Sequence, residues 1–419
     1  MDYVNLIIDN NSVMTDTLYT YGSTVKGLKP GDKVIVPFGL GNKEYESYVH
    51  SVADGPDPKI KRYKKVISQD TIISLPTDAI EVSDWMRQRF FCKYIDAVKC
   101  FLPIGSAPKR RRKSYFDGKD IQAVPAPVLT DEQDRAVNEI APYIGNNRHK
   151  VFLIHGVTSS GKTEVYIRVI GECLKKGKTA IMLVPEISLT GQTIRRFQER
   201  FGSEQLAVLH SRLSKGERYD QWMRIKKNEA KVVIGARSAV FAPLENIGAI
   251  ILDEEHETTY KSDMSPKYDT VEVAIKRAEI SGGIVLLGSA TPSLTSSYMA
   301  ERGVYKKVTL KTRYNKTPLP TVEIVDMREE LKEGNKSIFS RLLYNQIYDS
   351  LNMGQQVILF LNRRGYSTFI SCRSCGYVAR CDECDISMTF HKAAKQAVCH
   401  FCGKRIEAPK ICPDCGSKY

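Results

Sequence analysis

The sequence predicts a multidomain chain. A β-rich N-terminal domain with a helical tail comes first, then an α/β unit on a parallel sheet, then a small cysteine-rich metal module. Three observations carry this. The runs Val151–Ile154, Ala180–Val184, Val232–Ile234, Ala249–Leu252 and Ile284–Leu287 are short and apolar and alternate with amphipathic stretches. Buried parallel strands joined by helices have that rhythm. The first 80 residues carry short alternating runs broken by turn signals such as Leu28-Lys29-Pro30-Gly31-Asp32. Eight of the 11 cysteines fall between Cys372 and Cys415.

Taken in order, Val34–Phe38 reads as a strand ending in a turn at Gly39, and Glu81–Pro103 turns helical around Trp85 and Phe90. Ser106–Pro127 is basic, contains proline and lacks periodicity, so it reads as a linker. A further unit opens near Pro320, where Val322–Val325 and Val357–Leu361 read as strands. The expected divisions are 1–80, 81–105, 106–128, 129–312, 313–371, 372–415 and a short end at 416–419. At 419 residues, several domains are the ordinary expectation.

Lys and Arg outnumber Asp and Glu by 62 to 48, a formal charge of +14. The excess fits a polyanionic partner, since neutralised phosphates release counterions. It equally fits a basic soluble surface, and charge alone leaves both open. No apolar stretch reaches membrane-spanning length, and Met1–Asn5 lacks a signal-peptide pattern, so no membrane and a cytoplasmic location are expected. In a reducing compartment the cysteines argue for metal rather than disulfides.

Gly156-Val157-Thr158-Ser159-Ser160-Gly161-Lys162-Thr163 matches the phosphate-loop pattern, after the apolar run ending at His155 and before a helix expected near Lys162. Lys162 would reach the β- and γ-phosphates of ATP, and the Thr163 hydroxyl would ligate Mg²⁺. Ile250-Ile251-Leu252-Asp253-Glu254-Glu255-His256 supplies the second half. Asp253 would stand beside the metal, Glu254 would activate water, and His256 would sense the nucleotide. Gly288-Ser289-Ala290-Thr291-Pro292 can bridge this site to a nucleic-acid track. Gln133 is either an adenine-reading amide or a plain helix residue.

The cysteine spacing is Cys372-x2-Cys375-x5-Cys381-x2-Cys384-x14-Cys399-x2-Cys402-x9-Cys412-x2-Cys415. Eight thiolates suffice for two tetrahedral Zn²⁺ sites, and spacing alone does not decide their pairing.

Asp253–His256 with Gly288–Pro292 resembles superfamily 2 helicases. Gly156–Tyr166, Leu183–Thr190, Gly235-Ala236-Arg237-Ser238-Ala239 and Leu361-Asn362-Arg363-Arg364-Gly365-Tyr366 resemble one family more closely, the primosomal protein N′ (PriA) replication-restart helicases. The resemblance spans nearly the whole chain and is strongest from residue 129 onward. It implies a domain that captures the 3′ end of a nascent strand, a winged helix at 81–105, and RecA-like motor lobes. It also implies nested zinc pairing, with Cys372, Cys375, Cys412 and Cys415 on one ion and Cys381, Cys384, Cys399 and Cys402 on the other.

The implied activity is ATP-driven 3′-to-5′ unwinding at stalled forks. The implied partners are forked or single-stranded DNA, single-stranded DNA-binding protein and other primosome proteins. Tyr19 and Tyr21 occupy the family's end-binding segment, where they either stack on a base or pack as core. Thr20 stands where the family has Asp. Tyr260, Lys261, Lys267 and Tyr268 fall in its aromatic-rich, DNA-coupled loop, and Arg237 joins them as a DNA contact. Ser159 replaces a usual Gly. The late helicase motifs are expected after the cysteines, so a fragment is expected here. The competing function is a nucleotide- and DNA-binding scaffold that does not hydrolyse ATP. A restriction-type translocase does not account for the cysteines after Tyr366.

Overall fold

The computed structural model describes residues 2–10, 12–53, 55–56, 62–103, 124–318, 320–360, 370–372, 374–391 and 394–418. They form two units, Met1–Pro318 and Leu319–Tyr419.

In the first unit, β1 (Asp2–Ile8), β2 (Tyr19–Ser23), β3 (Asp32–Phe38), β4 (Lys43–Ala53) and β5 (Ser68–Ser74) make an antiparallel sheet, ordered β2-β1-β4-β3-β5. The two-residue period of a strand sorts its side chains onto two faces. Val4, Leu6, Ile8, Val34, Val36 and Val49 close one core. Ile7 and Tyr48 belong to a second, built with α1 (Ala79–Phe90), α2 (Tyr94–Cys100) and the motor lobe. No winged helix is seen among the described residues of the expected range 81–105. Its described residues hold two helices and no strand for a wing, and the helices pack as part of the first domain instead.

The lobe follows. Its elements are α3 (Asp131–Ile140), β6 (Lys150–Gly156), α4 (Lys162–Lys175), β7 (Thr179–Leu183), α5 (Gly191–Gln205), β8 (Leu206–Leu209) and α6 (Lys215–Lys226). After these come β9 (Val232–Gly235), β10 (Ile247–Asp253), α7 (Thr270–Ser281), β11 (Ile284–Ser289), α8 (Leu294–Glu301) and β12 (Lys306–Leu310). All seven strands are parallel, ordered β12-β6-β11-β10-β7-β9-β8. Their C-terminal ends therefore share one edge, where such sheets bind ligands.

The five expected strands are all present. Two more were not expected: β8, which follows α5 without a break, and β12, an edge strand with only Val308 and Leu310 buried. Helix starts follow capping chemistry. Thr130 with Gln133 on α3, and Ser214 with Glu217 on α6, form reciprocal capping boxes.

A buried ion pair joins the first domain to the lobe. Arg277 of α7 is fully buried and donates to both Asp78 carboxylate oxygens, at 2.6 and 3.0 Å, and to the carbonyls of Val240 and Ala242. Trp222 Nε1 of α6 donates to Phe101 O at 3.0 Å.

The second unit holds α9 (Met327–Lys332), α10 (Arg341–Asn352) and a small antiparallel sheet of β13 (Thr389–His391), β14 (Gln396–Val398) and β15 (Arg405–Glu407). The strands expected at Val322–Val325 and Val357–Leu361 are not formed among the described residues. Ile324 is 93% exposed and Phe360 86%, and no described strand stands beside either run to satisfy its backbone. Leu361–Tyr366 lies outside the described residues. No helix among the described residues is long and apolar enough to cross a membrane.

Candidate nucleotide site, nucleic-acid face and metal centres

The phosphate loop lies where β6 ends and α4 begins. Two of its residues take positive φ, Gly161 at +81° and Ser159 at +66°. The second explains why glycine suits position 159. A Cβ at 161 would overlap the amide of Gln133, so that glycine is required by close approach as well. Lys162 is buried at the helix start, with Nζ donating to Gly156 O at 2.9 Å. The Ser160 hydroxyl is buried with no partner among the described residues.

Asp253 ends β10, and β11 alone separates β10 from β6. Phosphate loop and carboxylate thus flank one cleft of about 540 Å³, lined by Gln133, Thr158 to Glu164, Arg196, Asp253, Glu254, Tyr314 and Asn315 among others. Burial, and then the neighbouring Glu254 charge, push the Asp253 carboxyl above its ordinary value, while Tyr166 and Lys162 pull it back. A half-buried carboxylate, an orphaned hydroxyl and a helix N-terminus carrying Lys162 suit a phosphate-bound divalent cation.

The four residues after Leu252 divide their work. Glu254 sits at φ +48° beside the cleft. Glu255 is buried and accepts from Ser293 N at 2.7 Å and from the Ser293 and Ser296 hydroxyls, so it holds the start of α8. His256 Nδ1 lies 2.8 Å from Ser289 Oγ and 3.6 Å from Glu254. It therefore ties the cleft to the Gly288–Pro292 turn. Gln133 lines the cleft, where Nε2 donates to Ser160 O at 2.9 Å and Oε1 accepts from Thr130 N. It braces the loop. Arg196 and Tyr314 were missed from sequence, because only the fold brings them to the cleft.

A second cleft, of about 440 Å³, runs past Pro185, Ser211, Arg218, Arg237, Ser238, Thr259, Tyr260 and Lys261. Lys261 and Lys267 are exposed. Arg237 donates to the carbonyls of Thr259 and Lys261. Tyr260 and Tyr268 are corrected. They are 2% and 6% exposed, with both rings packed into the lobe's core. The Tyr260 hydroxyl donates to Asp253 O at 2.8 Å, and Tyr268 packs edge-on against Phe241.

Tyr21 takes the core alternative. It is 3% exposed, its hydroxyl donates to Pro37 O, and burial raises its pKa to about 12. Tyr19 remains half-buried, edge-on to Phe38, which meets Tyr45 in turn. The Thr20 hydroxyl donates to Asn5 Oδ1 at 2.8 Å.

The cysteines form two sets, Cys372, Cys375, Cys412, Cys415 and Cys381, Cys384, Cys399, Cys402. Within each set all sulfurs lie within 4.8 Å of one another. The Cys372–Cys415, Cys375–Cys412 and Cys381–Cys402 sulfur separations are each 3.6 Å. A zinc tetrahedron with ~2.3 Å bonds has edges of about 3.8 Å, so both sets fit.

One knuckle is built four times. The N–H of Cys372, Cys381, Cys399 and Cys412 donates five residues ahead, and each carbonyl accepts from four ahead. That fourth residue takes positive φ, being Gly376, Asp385, Gly403 and Gly416 in turn. Backbone N–H groups, of Cys375 and Cys402 first, hold the Cys372 and Cys399 thiols below their ordinary value. The glycine after three of the four pairs was the legible signal. Of the basic residues around the module, Arg363, Arg364, Arg373 and Lys392 lie outside the described residues.

Three family models match in order along the chain: 3′DNA-binding domain (3′BD) at residues 5–103, DEAD/DEAH box helicase at 130–299, and the PriA DNA helicase Cys-rich region at 381–406. Replication restart protein PriA of Bacillus subtilis (strain 168) is 52% identical over 308 residues, covering 74% of this chain and 38% of that protein. The Rickettsia felis protein of that name is 38% identical over 389 residues, 93% of this chain and 58% of its own length. That of Chlamydia trachomatis is 42% identical over 98% of this chain and 64% of its own length. This chain thus spans from about a third to about two thirds of these relatives. With an end-binding domain, a helicase lobe and a PriA-type cysteine region in one order, the chain belongs to the PriA family.

Proposed function

We propose that this chain carries the DNA-end-binding, ATP-binding and zinc parts of an ATP-dependent 3′-to-5′ DNA helicase. That helicase would recognise stalled or branched replication forks and begin primosome assembly. The carrying observation is the single cleft flanked by Lys162 and Asp253 at the sheet's C-terminal edge. Lys162 would exchange the Gly156 carbonyl for the β- and γ-phosphates of ATP. Thr163 and Asp253 would hold Mg²⁺, which neutralises developing phosphate charge when bound. Glu254 would orient and deprotonate the attacking water. His256, bound to Ser289, would pass the state of Glu254 to the Gly288–Pro292 turn.

DNA would run along the second cleft, held through phosphates by Lys261 and Lys267 and by Arg237 once it releases the loop carbonyls. At the chain's start the half-buried Tyr19 is the base platform. The proposed partners are forked and single-stranded DNA, with single-stranded DNA-binding protein and other primosome proteins following from the family. The division of labour at 1–80, 129–312 and 372–415 is part of this reading. The relatives' shared name supports the restart role.

Forked-DNA affinity measured against salt tests the nucleic-acid half. The logarithm of the binding constant should fall linearly with that of salt. Lys261→Ala with Lys267→Ala should flatten the slope by about two, one for each phosphate that a lysine no longer neutralises. A salt-independent affinity, or a slope untouched by the double substitution, would contradict the track.

A further inference from the structure

Tyr166 lies one helical turn after Lys162 on α4, so both side chains leave the helix on one face. Its ring is fully buried, and its hydroxyl donates to Asp253 Oδ1 at 3.0 Å. The path exists only because residue 288 is glycine. The β10–β11 register sets Gly288 opposite Asp253, and a Cβ there would overlap the Tyr166 hydroxyl.

We propose that Tyr166 is a positioning residue for the metal-bearing carboxylate: it fixes Asp253 through Oδ1 and leaves Oδ2 for the magnesium ion of the bound nucleotide. The proposal rests on the nucleotide reading above. A hydroxyl suits the task better than a cationic side chain. It orients the carboxylate without adding a positive charge that would repel the cation. The contact also ties the phosphate-loop helix directly to the end of β10. Lys162 and Asp253 are thereby held in one frame, which neither motif alone would secure.

The test uses the full chain and a fluorescent ATP analogue, titrated with Mg²⁺ and separately in EDTA. Tyr166→Phe should bind the nucleotide in EDTA as the unmodified chain does. Its Mg²⁺ half-saturation should rise by about three- to tenfold, the loss expected for one ordinary hydrogen bond. Gly288→Ala, which displaces the hydroxyl without removing it, should shift the same quantity in the same direction. An unchanged half-saturation in Tyr166→Phe overturns the proposal. It does so even if the melting temperature falls, because the hydroxyl then serves stability alone. If the unmodified chain binds the analogue no better with Mg²⁺ than in EDTA, the nucleotide reading fails at its metal and the proposal fails with it. A Mg²⁺-dependent parent with an unshifted Tyr166→Phe sinks only the proposal.

Discussion

Chelating the metal from this protein is expected to release two zinc ions per chain and to dismantle the sheet of β13, β14 and β15. Each set of four thiolates is preorganised by its knuckles, but without the ion four sulfurs crowd within 4.8 Å. Structural zinc sites supply about 10–16 kcal/mol of apparent binding energy at neutral pH, and that energy is folding energy. Little else is available. The module's apolar core is Cys381, Met388, Ala397 and Cys399, and two of those four are ligands.

The two sites should therefore differ. Cys381→Ser removes a buried ligand from that core, so it should cost both its zinc and the amide protection of residues 389–407. Cys372→Ser should release the other ion and spare the sheet. Metal analysis with hydrogen exchange reads both effects. One zinc per chain, or a sheet still protected after chelation, would contradict the two-site assignment.

Arg277→Ala should destabilise the first unit by about 3–5 kcal/mol. The guanidinium makes four hydrogen bonds inside the protein, and its partner Asp78 is 7% exposed. Truncation leaves the carboxylate buried and unpaired, along with the Val240 and Ala242 carbonyls. It also removes the cation stacked 5.3 Å from the Phe101 ring, where the first domain meets the lobe. Replacing both partners, Arg277→Met with Asp78→Ala, should recover much of the loss, because no lone charge remains. Denaturant unfolding of the single and double variants measures this. A loss below about 1 kcal/mol in Arg277→Ala would show that the pair does not hold the domains together.

The phosphate loop, Asp253 and the zinc ligands were legible because each chemistry is written in consecutive or closely spaced residues. The strand runs were legible because a sheet covered on both faces demands unbroken apolar sequence. What failed was whatever depends on partners distant in sequence. Tyr166 acquires its role only from the register that sets Gly288 beside Asp253, 87 residues away from it along the chain. Tyr21, Tyr260 and Tyr268 have the residue type of a stacking platform, yet aromatic type does not say which side of a wall a ring occupies. Val322–Val325 reads as a strand by composition, but a strand exists only beside another. Gln133 was placed at the cleft by its spacing, whereas its bonds to Ser160 and Thr130 required the folded α3.

The central claim is that Lys162 and Asp253 flank a nucleotide site, and equilibrium binding of Mg·ATP to the unmodified chain and to Lys162→Ala tests it most directly. Lys162→Ala deletes the buried ammonium at the start of α4 and leaves the DNA-facing cleft untouched. The account predicts that Mg·ATP affinity falls by about ten- to a hundredfold, as expected on losing a charged hydrogen-bond donor to phosphate. Forked-DNA affinity should stay within twofold, about the precision of such a comparison. Equal Mg·ATP affinity in the two proteins, or no Mg·ATP binding by the unmodified chain, would contradict it.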